Sequence, residues 1–546
     1  MTAFSEQLVV HRQLDTIPDG YIQVGRANPE QTIKLSIGLA SNNNTGLTKR
    51  LYEVSMPNST KYGQYLTKEE VDDHLRPKAN TTKAFNQWMS RHGIKPNSTS
   101  SSGNHFAIEL TVSKAEKLLN TTFHNFNHTS SNQSLIRTKE YSVPSSLHQD
   151  ILLLQPTTHI PPEPHPRRRN RPRASAVIPS NTTIRRQQPT CQQAVEVPCV
   201  QGQYGIPADV QTTDQVGILS FNNQAVQGVS LAKYMGQFRD DISLGSVDVQ
   251  VISVDGGDNP DPQTHDTTEA NLDVQMVLGL VPSARVKVIT TASTHADFIL
   301  NGLDAFNSVL SQSNPPSVIT SSYGADESTV NPDSAKAVCE VIKALGARGV
   351  TVITSSGDGG VAGDTGGPCT TFNVDFPSSC PWTLSIGATN LRSGTEIGAD
   401  FSTGGFSRIF AMEDFQVNTF INFQQQMGNT YAGLYNEKGS MVPVLSMVGV
   451  VLVAYDQGGF LLADGTSASA PITAAAITAL NQIRTSRGEP RLGFASPFMY
   501  LNPDVFNDIT QGSNPGCNTN GFPAIPAWDP VTGLGSINYP KFAAKL

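Results

Sequence analysis

Between residues 215 and 387, runs of Val and Ile that are apolar on both faces alternate with segments of helical periodicity. The strand-like runs are 215–221, 249–254, 285–291, 317–322, 350–355 and 383–387; the helical ones are 269–280, 295–310 and 333–345. A strand apolar on both faces must be covered twice, which predicts an α/β fold with a parallel sheet flanked by helices on either side. Binding sites in such sheets collect at the carboxyl ends of the strands.

The chain of 546 residues is too long for that unit alone. Residues 1–160 carry strand patterns at 32–39 and 105–112 and helical patterns at 47–54, 68–75, 82–92 and 113–119, which predicts a small α+β unit with helices on one face of an antiparallel sheet. No catalytic constellation is visible there. Residues 161–187 read as a linker, with Pro161, Pro162, Pro164 and Pro166, then Arg167, Arg168, Arg169, Arg171 and Arg173, then Arg185 and Arg186. In an extended Pro-rich segment such arginines read as sites of proteolytic processing. A net charge of -8, and neighbours without a basic face, argue against a nucleic-acid partner. The longest apolar run, 442–455, is too short to cross a membrane and reads as a buried strand. Residues 188–546 hold the α/β unit.

Met1 to Val10 has no basic segment followed by an apolar one, so no signal peptide is visible. Asn-X-Ser/Thr sequons nevertheless crowd the first third, at Asn43, Asn58, Asn80, Asn97, Asn120, Asn127, Asn132 and Asn181. The six cysteines, Cys191, Cys199, Cys339, Cys369, Cys380 and Cys517, lie beyond it. Sequons and an even cysteine count predict a secreted, glycosylated, disulfide-bonded protein, with Cys191–Cys199 a plausible local bridge.

The segment Gly465-Thr466-Ser467-Ala468-Ser469-Ala470-Pro471 runs into a small-residue stretch, 472–483, that reads as a buried helix with Pro471 in its first turn. Ser467 then sits at the positive end of a helix dipole, where negative charge on its oxygen is favoured. A lone Gly-Thr-Ser would be an ordinary helix cap. Beyond the linker the histidines are His265 and His295, and neither precedes Gly-Thr, which argues against a Ser-His-Asp triad. Instead, Glu269 and Asp273 lie four apart, on one face of a helix. Two carboxyls that close raise each other's proton affinity, so a glutamate there could act as base towards a serine hydroxyl. In isolation the pair is simply an acidic first turn. Asp358, in Ser356-Gly357-Asp358-Gly359, could be a turn residue or a protonated acid that donates to an oxyanion.

The ordered set E-x-x-x-D, S-G-D and G-T-S-A-S-A-P resembles the sedolisin (serine-carboxyl peptidase) family, which includes the tripeptidyl peptidases. Tyr62-Gly63-Gln64-Tyr65-Leu66 resembles the family's activation prodomain, and Tyr204-Gly205-Ile206-Pro207 the start of its mature enzyme. The resemblance implies a subtilisin-like fold and a serine peptidase made as a proenzyme and active in acid. It assigns Ser467 as nucleophile, Glu269 as base, Asp273 as the acid orienting it, and Asp358 as the oxyanion-hole acid. Ser321, Ser322, Tyr323 and Gly324 match the substrate-lining strand. A single calcium site is implied at Asp508, Ile509, Ile525, Ala527 and Asp529, where the family usually has glycine at the positions of Ile525 and Ala527. The implied partners are a peptide or protein substrate and the chain's own prodomain, in a monomer that binds neither nucleic acid nor membrane. One departure stands out. Ser440 and Val444 replace an arginine and an aspartate of the family pattern. That departure motivates a second reading, a catalytically impaired homologue that binds peptides or proteins in the same groove. An ordinary subtilisin is a third reading, opposed by the missing histidine motif.

Overall fold

The computed structural model describes residues 7–131, 133–161, 173–178, 195–260, 267–292, 298–364, 369–392, 394–454 and 459–546, with the backbone alone for 173–178, 452 and 454. His265, His295, Asn132, Asn181 and Cys191 lie outside the described residues.

In the N-terminal unit, strand β1 (Thr32–Leu39) is flanked antiparallel by β2 (His105–Thr111) and β3 (Ile151–Gln155). Leu35, Ile37 and Leu39 of β1 point to one face, where Phe85, Trp88 and Leu118 cover them from helices α3 (Ala79–Arg91) and α4 (Val112–Leu119). Helices α1 (Asn44–Ser55) and α2 (Lys68–Leu75) do not join that core. α2 opens on a capping box, Thr67 with Glu70, which satisfies amides the helix leaves open. Leu47, Leu51 and Val71 from this pair share a core with the C-terminal unit.

The C-terminal unit is built on an eight-stranded sheet. Its strands are β5 (Gln215–Ser220), β6 (Asp248–Val254), β7 (Arg285–Thr291), β8 (Val318–Ser321), β9 (Thr351–Ser355), β10 (Leu384–Arg392) and β11 (Leu445–Val448), in the order β6-β7-β5-β8-β9-β10, with β11 also on β10. All are parallel; the edge strand Thr395–Gly398 is antiparallel. The period-two alternation sorts side chains into two cores. Val216, Ile218, Val318 and Ile353 face helices α5 (Thr268–Leu280) and α8 (Thr466–Ser486), whereas Leu219, Ile319 and Val352 face α6 (Phe298–Leu310) and α7 (Pro332–Ala347). Helix α1 packs against α7. This is the parallel sheet covered on both faces that the sequence predicts.

Two local expectations need correction. The run 442–455 is not one strand: Pro443 and Gly449 break it into Gly439–Val442, β11, and β12 (Val450–Ala454), which lie in three different sheets. Pro471 is not in the first turn, because α8 already begins at Thr466. Proline has no N–H, so the carbonyl of Ser467 four residues earlier loses its helical donor. Disulfides join Cys339 to Cys380 and Cys369 to Cys517. Cys199 is also disulfide-bonded.

Candidate active site

Three carboxyl ends and one helix start converge on Ser467. Ser322 follows β8, Asp358 follows β9, and β13 (Phe460–Asp464) leads through Gly465 into α8. α5 packs against α8 and is buried on every side, so Glu269 and Asp273 are 1 % and 0 % exposed. Ser322 couples Asp273 to Ser467. Its Oγ lies 2.7 Å from Asp273 Oδ1 and 3.2 Å from the Ser467 carbonyl that Pro471 leaves open. The Ser467 hydroxyl in turn donates to the Ser322 carbonyl at 3.4 Å. One hydroxyl hydrogen serves one acceptor at a time, so a protonated Asp273 would donate to Ser322 and free it to hold Ser467. Burial pushes the Asp273 carboxyl up to about 8, against the opposing pull of the Ser322 hydrogen bond.

Asp358 stands on the other side of the same helix start. Its Oδ1 accepts the Thr466 N–H at 2.7 Å and the Thr466 hydroxyl at 2.9 Å, so it caps α8 from a distant segment. Thr466 Oγ1 also accepts the Gly357 N–H at 3.1 Å, which ties the two loops together. Burial first, and then the neighbouring Asp364, raise Asp358 to about 7. A carboxyl so placed can stay protonated in mild acid and offer its hydrogen beside the serine.

Ser321, Ser322 and Tyr323 are 2 %, 1 % and 2 % exposed. The Tyr323 ring packs edge-on to Phe221, with centroids 5.1 Å apart. Its phenol is pushed well above its usual range by burial, then by the charges of Glu269 and Asp273. Gly324 alone is partly exposed. Ser322 is thus an internal link, which its position in a strand motif did not disclose.

Sequence reasoning also missed two features. The linker strand β4 (Arg173–Ile178) pairs antiparallel with β13, setting Arg173 opposite Asp464 and Ile178 opposite Phe460, so the linker passes directly before the Ser467 turn. Behind Asp358 stand further acids, Asp326, Asp364 and Asp375. The glycines in Gly357-Asp358-Gly359-Gly360 and at Gly363 were the available signal.

The two segments named for a calcium site, 508–509 and 525–529, touch each other through backbone-to-carboxylate hydrogen bonds. Asp508 accepts the Ala527 N–H at 3.0 Å, and Asp529 accepts the Ile525 N–H at 3.2 Å. Asp529 is fully buried, raised to about 8 by burial, and forms no ion pair among the described residues. Two carboxylates and main-chain carbonyls suit a hard cation in donor type. At the departure from the family pattern, Val444 is buried in the apolar core and its N–H donates to the Ser385 carbonyl at 2.8 Å. Neither member of the replaced charge pair is left behind, which is the milder way to lose one.

Residues 19–160 match the model described as pro-kumamolisin, activation domain, and residues 239–491 that of the subtilase family. Tripeptidyl-peptidase SED2 of Arthroderma otae is 32% identical, with 98% of this chain and 96% of that protein covered. Tripeptidyl-peptidase SED3 of the same organism is 31% identical, over 98% of this chain and 94% of that protein. Among solved structures, Pseudomonas sedolisin complexed with pseudo-iodotyrostatin is similar in fold, with a TM-score of 0.52 at 23% identity, over 63% of this chain and 96% of that one. A parallel sheet with a serine at a helix start, behind an antiparallel N-terminal unit, is the frame of a subtilase-type peptidase. The chain belongs to the sedolisin family of serine-carboxyl peptidases, and it carries an activation prodomain.

Proposed function

We propose that this protein is a secreted acid tripeptidyl peptidase, made as a proenzyme, that cleaves peptides through Ser467, Glu269 and Asp273 with Asp358 as oxyanion donor. Glu269 takes the Ser467 proton, the serine oxygen attacks the peptide carbonyl, and protonated Asp358 donates to the oxyanion. The amine leaves with a proton returned by Glu269, and water then hydrolyses the acyl-enzyme. Asp273, through Ser322, holds the nucleophile's backbone in place. The carrying observation is the Asp358 carboxyl, fixed on the Thr466 amide next to Ser467 with its affinity for a proton raised to about 7. As pH climbs through that value the donor becomes a charge that repels the oxyanion, so activity belongs to acid.

The linker strand on β13 supports a latent form, because it runs antiparallel beside the strand that leads into the Ser467 turn. Asn43, Asn58, Asn80, Asn97 and Asn120 are all exposed, which supports glycosylation and export. Calcium, when bound, would supply structural charge neutralisation. The carboxylates of Asp508 and Asp529 and the carbonyls of Ile509, Ile525 and Ala527 would hold it. Chelation should then lower the melting temperature in scanning calorimetry.

The test is covalent capture by a fluorophosphonate at Ser467, with mass spectrometry of products from blocked and unblocked peptides at about pH 4 and pH 8. Tripeptides from unblocked ends, in acid only, are the expected result. No capture and no products, with peptide binding retained, would favour the impaired binder suggested by Ser440 and Val444.

A further inference from the structure

The loop that carries Asp358 is wrapped on carboxyl groups. Asp364 Oδ1 accepts the backbone N–H of Asp358 at 2.7 Å, and the backbone N–H of Asp364 donates to Asp326 Oδ1 at 2.6 Å. Asp326 and Asp375 sit directly opposite each other in a two-stranded ladder, and both are buried. Burial, then the neighbouring Asp364 and Asp326, push the Asp375 carboxyl well above its usual range. The backbone is shaped to let these groups in. At Gly357, with φ +110°, a Cβ would stand 1.9 Å from Asp375 Oδ2; at Gly363, with φ +68°, it would stand 2.1 Å from Asp326 Oδ1. Glycine is therefore required at both places.

We propose that Asp364 is a positioning residue for Asp358: one carboxylate orients the Asp358 loop through its N–H and supplies the negative charge that sets the pH at which Asp358 stops being a donor. The inference rests on Asp358 being the oxyanion acid. The charged or titratable groups that face Asp358 are Asp364 from its own loop, Asp375 across Gly357, and Asp464 at the end of β13. The Thr466 amide and hydroxyl act in the opposite sense, since they favour the ionised form. Asp364 is the acid whose removal leaves the geometry closest to intact, because an asparagine oxygen can still accept the Asp358 N–H.

The experiment compares kcat/KM against pH for the full-length chain processed in acid, using an unblocked peptide. In Asp364→Asn the alkaline limb should move down by about one pH unit, a tenfold loss at any point on that limb, since a neighbouring charge shifts a carboxyl by about that much. A merely structural role would lower the rate at all pH values and leave the limb where it was. Asp364→Ser removes the same charge and serves if Asp364→Asn does not fold. An unmoved limb in either folded variant overturns the proposal. Asp358→Asn separates the two ideas, because it keeps an N–H donor that does not titrate. If it erases the limb while Asp364→Asn leaves it unmoved, only the role of Asp364 fails. If Asp358→Asn keeps the limb, the oxyanion reading fails as well.

Discussion

The cleft and the prodomain interface bury titratable groups of opposite kinds. In the cleft, burial raises acids, Asp273 to about 8 and Asp358 to about 7. At the interface, burial lowers histidines. His105 of β2 lies against α6, with Nδ1 3.4 Å from Asn307 Nδ2, and falls to about 4 despite the helpful charge of Asp304. His11 also falls to about 4, through burial and then the nearby Arg12 and His148. Desolvation disfavours the charged form in both regions, but the charged form of an acid is the deprotonated one and that of a histidine the protonated one. Acid therefore keeps Asp273 and Asp358 neutral while it forces charge onto the buried histidines. One change of pH can equip the site and loosen the prodomain interface.

The largest effect should come from breaking the cleft side. Asp358→Ala removes the proposed donor, and kcat should fall by about 10² to 10³ without a matching rise in KM. Initial rates at acid pH check this. Loss in KM alone would remove Asp358 from the transition state. On the interface side, burial lowers His105 from its ordinary 6.5 to about 4 in the docked chain, and release of the prodomain should return it towards the ordinary value. The docked state is thus unpenalised above pH 6.5 and loses stability as pH falls towards 4, by up to about 3 kcal/mol. His105→Asn cannot gain that charge, so its nicked prodomain should stay bound up to about 100-fold more tightly at pH 4, with little change at neutral pH. Size exclusion of the processed protein across that range would show it. Equal release from both proteins would place the acid trigger elsewhere.

The two regions were unequally legible in the sequence. The sheet was readable because a strand buried on both faces must be apolar throughout, as Val216 and Leu219 show by entering different cores. The spacing of Glu269 and Asp273 put them on one helix face before any coordinates. Other features depend on contacts between residues far apart in the chain. Ser322 reaches Asp273 across 49 positions, and Asp358 reaches Thr466 across 108. Nothing local marks His105 as an interface residue, since its partner Asn307 is 202 positions away. The break at Gly449 was missed for a related reason: hydrophobicity gives burial, and pairing partners decide where a strand ends.

The smallest expected effect tests whether the interface has an anchor independent of pH. Tyr65, in the motif Tyr62-Gly63-Gln64-Tyr65-Leu66, inserts between Gly349 and Gly493, where a Cβ would stand 2.4 Å from its ring and 2.5 Å from its hydroxyl oxygen. Its hydroxyl donates to the Arg491 carbonyl at 2.6 Å, and the next residue, Leu66, donates its N–H to the Ala347 carbonyl at 2.9 Å. The Arg484 guanidinium lies 5.3 Å from the Tyr62 ring centre. None of these contacts titrates in the acid range, because burial moves the Tyr65 phenol further upward. Tyr65→Phe keeps the ring in its socket and loses one hydrogen bond, leaving the Arg491 carbonyl to find another donor. Prodomain affinity should fall about fivefold, close to 1 kcal/mol, by the same factor at neutral and at acid pH. That constancy is the useful part. A Tyr65→Phe effect that grew as pH fell would mean that the socket and the His105 contact open together, as one cooperative interface.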